Sequence, residues 1–245
     1  MSKNISKWAA IWGLRLAVLS PFVMMIAGGT YRLSFVDFGP ALLAFAVATL
    51  MGLIAVLLSL IGVIGGVRGN NAHGKSATLG LVVALIVVSA PLNTVRTGAG
   101  VPMIHDITTD LEDPPTFVEV PRQRASTDNS LEIDQDVLAA QKAYYTGIVP
   151  TMLAMSRPDA FSLVRDTVKE LGWQVHAEKE NLGYIEATAA TPFFGFRDDV
   201  VIRLTQSAGN VRVDMRSASR VGLSDLGVNA GRISDFMTLV AQKAN

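Results

Sequence analysis

Three long stretches without a charged residue constrain this chain more than any other feature. They are Leu16–Tyr31, Phe38–Val67 and Ser76–Val95, with lengths of 16, 30 and 20 residues. A helix rises about 1.5 Å per residue, so about 20 apolar residues cross the hydrocarbon core of a bilayer. Lipid offers the backbone no hydrogen-bond partner, and such segments must therefore be helical. We predict transmembrane helices over about 8–30, 40–67 and 76–95.

Charge divides the chain where the third stretch ends. The 21 basic and 21 acidic residues balance overall, which excludes a typical nucleic-acid binder, but residues 1–95 hold six basic residues and one acid. The absence of cysteine excludes thiolate metal sites and iron–sulfur clusters. We predict a membrane region over 1–95, an extended proline-containing segment over 96–150 that packs on or leads to a domain, and a folded domain over 151–245.

Lysine and arginine in the short loops predict the orientation in the membrane, because these residues favour the cytoplasmic side. Lys3 and Lys7 precede the first span, and Arg68 and Lys75 lie between the second and third. The N-terminus is therefore expected in the cytoplasm, and three crossings place the C-terminal domain in the periplasm or an equivalent space. The predicted location is the inner (cell) membrane.

The second span carries small residues at four-residue spacing, Ala44, Ala48 and Gly52. Small side chains at this interval let helix backbones approach closely. They predict either packing among the protein's own spans or contact with a second membrane protein. The three spans contain no Asp, Glu or His, and this excludes an ion or proton path of the usual kind.

The remainder predicts an α+β domain. Pro158 begins a helix whose apolar face carries Phe161, Val164, Val168 and Leu171, and a last helix over about 229–244 buries Ile233, Phe236, Met237 and Val240. Between them lie four predicted strands, Trp173–Glu178, Tyr184–Thr191, Asp199–Gln206 and Val211–Ser217. The fold class is thus a three-helix transmembrane anchor plus an α+β domain of helix, four-stranded antiparallel meander and helix, with a further short helix over about 133–143.

The last hairpin predicts its own register. Symmetric closure over residues 207–210 places Gln206 opposite Val211 and Arg203 opposite Asp214. One face of this hairpin is apolar and faces the helices. The other face carries Asp199, Arg203, Arg212, Asp214 and Arg216. This charged face is either solvated, which is the simpler expectation, or covered by the 96–150 segment.

Four stretches together resemble a known family. They are Arg216–Asn229, Phe196–Val200, Tyr144–Pro150 and Ile104–Asp110. Over about 104–242 the chain resembles the domain-of-unknown-function family DUF1499. The resemblance implies a domain boundary and a membrane-anchored protein of bacteria or plastids, and it implies no reaction, because the family has no established activity.

His105 with Asp106 and Asp110 is a weak candidate for a metal cluster or a general base. One histidine with carboxylates is a poor metal signal, since no second histidine stands at ligand spacing, and we predict neither a metal nor another cofactor. Ser217 and Ser219 with His105 would suit a hydrolase, but neither serine lies in a Gly-x-Ser-x-Gly elbow.

A charged group near the C-terminus is the most suggestive cluster. It comprises Asp198, Asp199, Arg203, Arg216, Ser219, Arg220, Asp225 and Arg232. Its arginines could clamp a carboxylate or phosphate. Alternatively, the group is an ion-pair network that pins the His105–Asp110 segment and the Ser224–Asn229 turn to the sheet, and we favour this reading. Ser224 or Asn229 is expected to cap the last helix.

Three functional hypotheses follow. The leading one is a non-enzymatic factor in the assembly or maintenance of the envelope or of a membrane complex. Its partners would be the bilayer and another membrane or envelope protein, contacted through Ala44, Ala48 and Gly52 or through the charged sheet face. The alternatives are a domain that binds a small anionic or lipid ligand between helices and sheet, near Phe193, Phe194 and Phe196, and an enzyme that uses His105 and nearby carboxylates.

Overall fold

The computed structural model describes residues 3–69 and 73–244. Residues 70–72 of the predicted loop between the second and third spans lie outside the described residues. So does Asn245, the last residue of the predicted domain. The chain divides into two compact units. The first comprises Met1–Thr97 and Phe193–Gly195, and the second comprises Gly98–Pro192 and Phe196–Asn245.

The first unit contains three long apolar helices, α1 (Lys3–Arg32), α2 (Phe38–Gly69) and α3 (Gly74–Gly98). Each is long and apolar enough to cross a membrane. The small residues of α2 serve packing within this unit. Ala48 is fully buried, and a Cβ on Gly52 would lie 2.7 Å from Cγ1 of Val88 on α3. Ala48 and Gly52 therefore pack within this unit, which is one of the two predicted alternatives.

The second unit is an α+β domain with a six-stranded antiparallel sheet. The strands are β1 (Asp106–Thr108), β2 (Thr151–Leu153), β3 (Gln174–Lys179), β4 (Tyr184–Ala190), β5 (Arg197–Ser207) and β6 (Asn210–Ser219). The helices are α4 (Gln135–Tyr144), α5 (Arg157–Glu170) and α6 (Val228–Lys243). The sheet order is β1-β6-β5-β4-β3, and β2 also pairs with β6.

The predicted meander is confirmed as β3 to β6, and the hairpin register is as predicted. Gln206 lies opposite Val211 and Arg203 opposite Asp214. Because side chains alternate along a strand, one face of the sheet is apolar and packs against α5 and α6. This core is made of residues from both layers, including Phe161, Val164, Ile202, Leu204, Val213, Met215, Ile233 and Phe236.

Two features of this unit differ from the expectation. The segment over 96–150 is not merely irregular, because it supplies β1 and a 3₁₀ turn over Val120–Gln123 as well as α4. Three-residue strands are too short to show a period of two in the sequence. Leu171, predicted on the buried face of α5, is 40% exposed, because the helix ends at Glu170 and the chain turns at Gly172 with a φ of 69°.

Candidate functional site

The charged face of the sheet is covered by the preceding segment of the second unit. Asp199, Asp214 and Arg216 are at most 2% exposed, so the expectation of a solvated face is wrong. Residues from β1 to Leu131 hydrogen-bond to this face along its length. Burying charged groups requires a partner for each of them, and the covering segment provides these partners.

Asp199 is the centre of the first cluster under the cover. Its carboxylate accepts from Arg220 at 2.9 and 3.0 Å and from Nε of Arg124 at 2.8 Å. The hydroxyl of Thr188 donates to the same carboxylate at 2.5 Å. Arg124 also donates to the backbone oxygens of Asn129 and Ala218, which ties the covering segment to β6. Two guanidinium groups thus share one buried carboxylate.

His176 extends this cluster toward solvent. It lies at an irregularity of β3, between Val175 and Ala177, and its Nε2 is 2.7 Å from Oγ1 of Thr188. Because the hydroxyl proton of Thr188 is donated to Asp199, Nε2 of His176 must carry a proton and act as the donor. Burial lowers the pKa of His176 from its ordinary value. The charge of Asp199 opposes this shift, and the charge of Arg220 acts in the same direction as burial. Sequence reasoning had assigned His176 and Thr188 no role.

Glu186 forms the second cluster and was also missed. It lies on β4, is fully buried, and accepts from three consecutive backbone N–H groups, those of Val118, Glu119 and Val120. The carboxylate therefore holds the start of the 3₁₀ turn, and the N–H of Val118 also donates to the hydroxyl of Tyr184 at 3.0 Å. The sequence signal for this role is a charged glutamate on a predicted strand in which the residues after it are alanine and threonine.

Arg216 forms the third cluster with Asp106 of β1. Its guanidinium donates to both oxygens of Asp106, at 2.6 to 3.2 Å, and to the backbone oxygen of Leu131 at 2.8 Å. The same group stands over the ring of Phe117, 5.2 Å from its centroid. This arginine therefore joins three points of the covering segment to the sheet and does not point toward an open surface.

Asp110 forms the fourth cluster, at the other end of the hairpin. It pairs with Arg212 at 2.8 Å and with Arg203 at 3.3 Å. Burial alone would raise the pKa of Asp110. The backbone N–H groups of Asp113 and Glu112 and the charges of the two arginines outweigh burial, and they hold this pKa below its ordinary value.

The lowered pKa of Asp110 predicts a pH dependence of stability. A carboxylate whose pKa is lower when folded stabilises the fold above the unfolded pKa, and this contribution disappears as the pH falls through the folded pKa. We expect Asp110→Asn to destabilise the second unit by about 2 kcal/mol near neutral pH, as for hydrogen bonds to a charged group. The difference from the unmodified chain should shrink below the unfolded pKa of about 3.9 and disappear once the pH has fallen through the lower folded pKa. Thermal unfolding across this range measures it, and a difference that persists in acid would contradict the assignment.

Asp198, adjacent to Asp199, points to the opposite face of the sheet. It pairs with Arg232 of α6 at 2.5 Å, and Arg232 also donates to Oγ of Ser217. Ser217 in turn donates to Asn229, whose amide donates to Oγ of Ser219. The charged group singled out from the sequence is therefore not one site, because alternation along β5 separates its members between two faces.

Asp225 holds the start of α6. Its two carboxylate oxygens accept from the backbone N–H groups of Gly227 and Asn229, at 2.9 and 2.8 Å. The residue at the cap position is Gly227, with a φ of 86°, so the expectation that Ser224 or Asn229 caps this helix is wrong. Burial raises the pKa of Asp225, and the two backbone N–H groups oppose that shift.

The side chain of His105 makes no hydrogen bond to Ser217 or Ser219, the two serines considered for a hydrolase, among the described residues. The side chains of Ser217 and Ser219 are engaged with Asn229, and only the backbone oxygen of His105 accepts from Ser219 and Asn229. Nδ1 of His105 is buried without a hydrogen-bond partner in the described part of the chain. A cavity of about 130 Å³ adjoins His105, Asp106, Asn129, Glu132 and Arg216. Across residues 3–69 and 73–244, no group of three or more His, Cys, Asp or Glu is arranged to hold a metal ion.

A comparison with known protein families finds one family that matches the second unit. The family described as "Protein of unknown function (DUF1499)" matches residues 106–240. The chain belongs to this family. The DUF1499 match begins at the first residue of β1, so the covering segment and the charged clusters under it are part of the family domain. No curated protein matches the chain.

Proposed function

We propose that this DUF1499 protein is a non-enzymatic factor in the assembly or maintenance of the cell envelope or of a membrane complex. In this proposal three spans anchor the chain in the inner membrane, the N-terminus is cytoplasmic and the second unit folds on the far side. The observation that carries the proposal is that charged side chains singled out for chemistry are paired with one another. Asp106, Asp199 and Asp198 each hold an arginine, and these pairs join parts of the fold.

The two alternatives find less support in the geometry. A ligand between helices and sheet would need space that Ile202, Met215 and Phe236 fill, each at most 1% exposed. Phe193 and Phe194, expected beside the arginines, are grouped with the first unit. The two carboxylates predicted to act with His105 are both paired, Asp106 with Arg216 and Asp110 with Arg212.

The orientation is tested by cysteine labelling, since the chain has no cysteine of its own. Leu182→Cys, at an exposed turn of the second unit, should react with a membrane-impermeant maleimide in intact spheroplasts. Lys75→Cys, before the third span, should react only after permeabilisation. The reverse pattern would overturn the proposed orientation.

The functional proposal is tested by photo-crosslinking of the full chain in native membranes. A benzophenone amino acid replaces Met152, which is half exposed on β2, and in a second variant Val149. We expect both variants to capture the same membrane or envelope protein, and deletion of either gene to raise envelope permeability in the same way. A chain recovered alone from both variants, with normal permeability after its deletion, would contradict the proposal.

A further inference from the structure

Four apolar side chains of the second unit are exposed close to the point where the chain leaves α3. They are Met103, Leu223, Leu226 and Val228, with Met103 and Leu223 about three-quarters exposed. We call them the apolar loop patch. Single exposed apolar residues are ordinary on a protein surface, but several large ones in one place indicate an interaction site.

Backbone contacts hold the two segments of this patch together. The backbone N–H of Asp225 donates to the backbone oxygen of Ile104 at 3.0 Å. A Cβ on Gly98 would lie 2.5 Å from Cδ2 of Leu226, so this leucine packs directly on the Gly98 backbone. The segment from Gly98 to Ile104 thus runs beside the loop that precedes α6, and both segments carry exposed apolar residues.

The loop is held in a conformation that leucine rarely adopts. Leu226 has a φ of 55°, in the left-handed region that favours glycine. Hydrogen bonds maintain it: Oγ of Ser224 accepts from the N–H of Leu226, and the Asp225 carboxylate accepts from Gly227 and Asn229. This strain is not offset by burial of the side chain, since Leu226 is 42% exposed. Strained residues held in place in this way are frequent at functional sites.

The position of Gly98 at the end of α3 indicates which environment surrounds the apolar loop patch. Gly98 belongs to the second unit and is also the last residue of α3. The uncharged stretch of α3 ends at Val95, and three helical residues advance only about 5 Å. In a bilayer crossed by α3, Gly98 therefore lies at the depth of the lipid headgroups, where apolar side chains can enter the boundary of the acyl chains.

We propose that the apolar loop patch inserts into the interfacial layer of the bilayer that holds the chain's own helices. The segments 98–103 and 221–228 carry no lysine or arginine, so the attraction is apolar and a zwitterionic lipid is sufficient. The patch then acts as a second membrane contact beside the three spans. This inference goes beyond the proposed function and does not depend on a protein partner.

The test measures the depth of a spin label in the full chain, reconstituted in phosphatidylcholine nanodiscs that are in excess over the protein. Single cysteines are placed at Leu223 and, as a second variant, at Met103; the control is Leu182, which is 66% exposed. Leu182 lies at the opposite end of the sheet from the patch. It precedes Tyr184, which pairs with Arg203 of β5. The loop of the patch follows Ser219, which pairs with Asp198 near the other end of β5.

We expect labels at 223 and 103 to show a ratio of oxygen to nickel-chelate accessibility several-fold above that of the label at 182. Oxygen concentrates in lipid and the charged chelate stays in water, so this ratio reports immersion. A ratio at 223 and 103 equal to that at 182 would place the patch in water and overturn the proposal. Protection of both labels from both reagents would place it against protein and overturn it as well.

Discussion

Replacing Asp199 with Asn is expected to destabilise the second unit by about 3–5 kcal/mol, the usual effect of leaving a buried ion pair without one partner. Asp199 is fully buried and is shared by Arg124 and Arg220, whose side chains are 6% and 8% exposed. An amide at this position supplies one acceptor oxygen and no charge. The two guanidinium groups would then remain buried without compensation.

A suitable reporter for this measurement is Trp173, which stacks on Phe236 of α6 with 5.4 Å between ring centroids. Substituting Trp8 and Trp12 with Phe leaves Trp173 as the single tryptophan of the chain. Urea unfolding of the full chain in detergent, followed by its fluorescence, then reports on the second unit.

Two comparison variants distinguish the cluster from a general effect of losing an aspartate. Asp113→Asn removes a carboxylate that pairs with Arg203 but is 80% exposed, and it should change the stability by less than about 1 kcal/mol. Arg124→Met should be milder than Asp199→Asn, because it leaves Asp199 with Arg220 and removes the surplus positive charge. Equal effects of Asp199→Asn and Asp113→Asn would contradict the cluster described above.

Glu186→Ala is expected to release the covering segment from the sheet and to destabilise the second unit by about 3 kcal/mol or more. The backbone N–H groups of Glu119 and Val120 would lose their acceptor, while that of Val118 would keep the hydroxyl of Tyr184. Each buried unpaired donor costs about 1–3 kcal/mol unless water reaches it. Glu186→Gln should be intermediate, because the amide retains one acceptor oxygen but places an N–H₂ group among donors.

Limited trypsin digestion of the native chain gives a local reading of this release. The side chain of Arg122 follows the held segment and is 74% exposed, so its peptide bond should be cut faster in Glu186→Ala than in the unmodified chain. The matched control is Glu178→Gln on neighbouring β3, where the glutamate pairs with Lys169 near the surface. Cleavage of Glu186→Ala at the unmodified rate would show that the carboxylate does not hold this segment.

For the charged clusters, the sequence predicted the face of the sheet on which some charges lie but not their partners. Strand alternation predicted which charges of β5 and β6 face away from the helices, and the structure confirms this for Asp199, Asp214 and Arg216. Their partners could not be predicted, because Arg124 is 75 positions from Asp199 and lies in a segment without regular periodicity. Asp198 and Asp199 are adjacent in the sequence, but strand alternation places their side chains on opposite faces of the sheet, where they pair with Arg232 and Arg220.

The elements with a local or periodic cause could be predicted from the amino-acid sequence. Uncharged length predicted α1 to α3, apolar spacing predicted α5 and α6, and a four-residue turn predicted the pairing of Gln206 with Val211. The covering of the sheet by the 106–131 segment, and the binding of its backbone N–H groups to Glu186, depend on the folded chain as a whole. The reason is physical: a helix or hairpin satisfies its hydrogen bonds among near neighbours, whereas an irregular segment must find acceptors wherever the folded chain presents them.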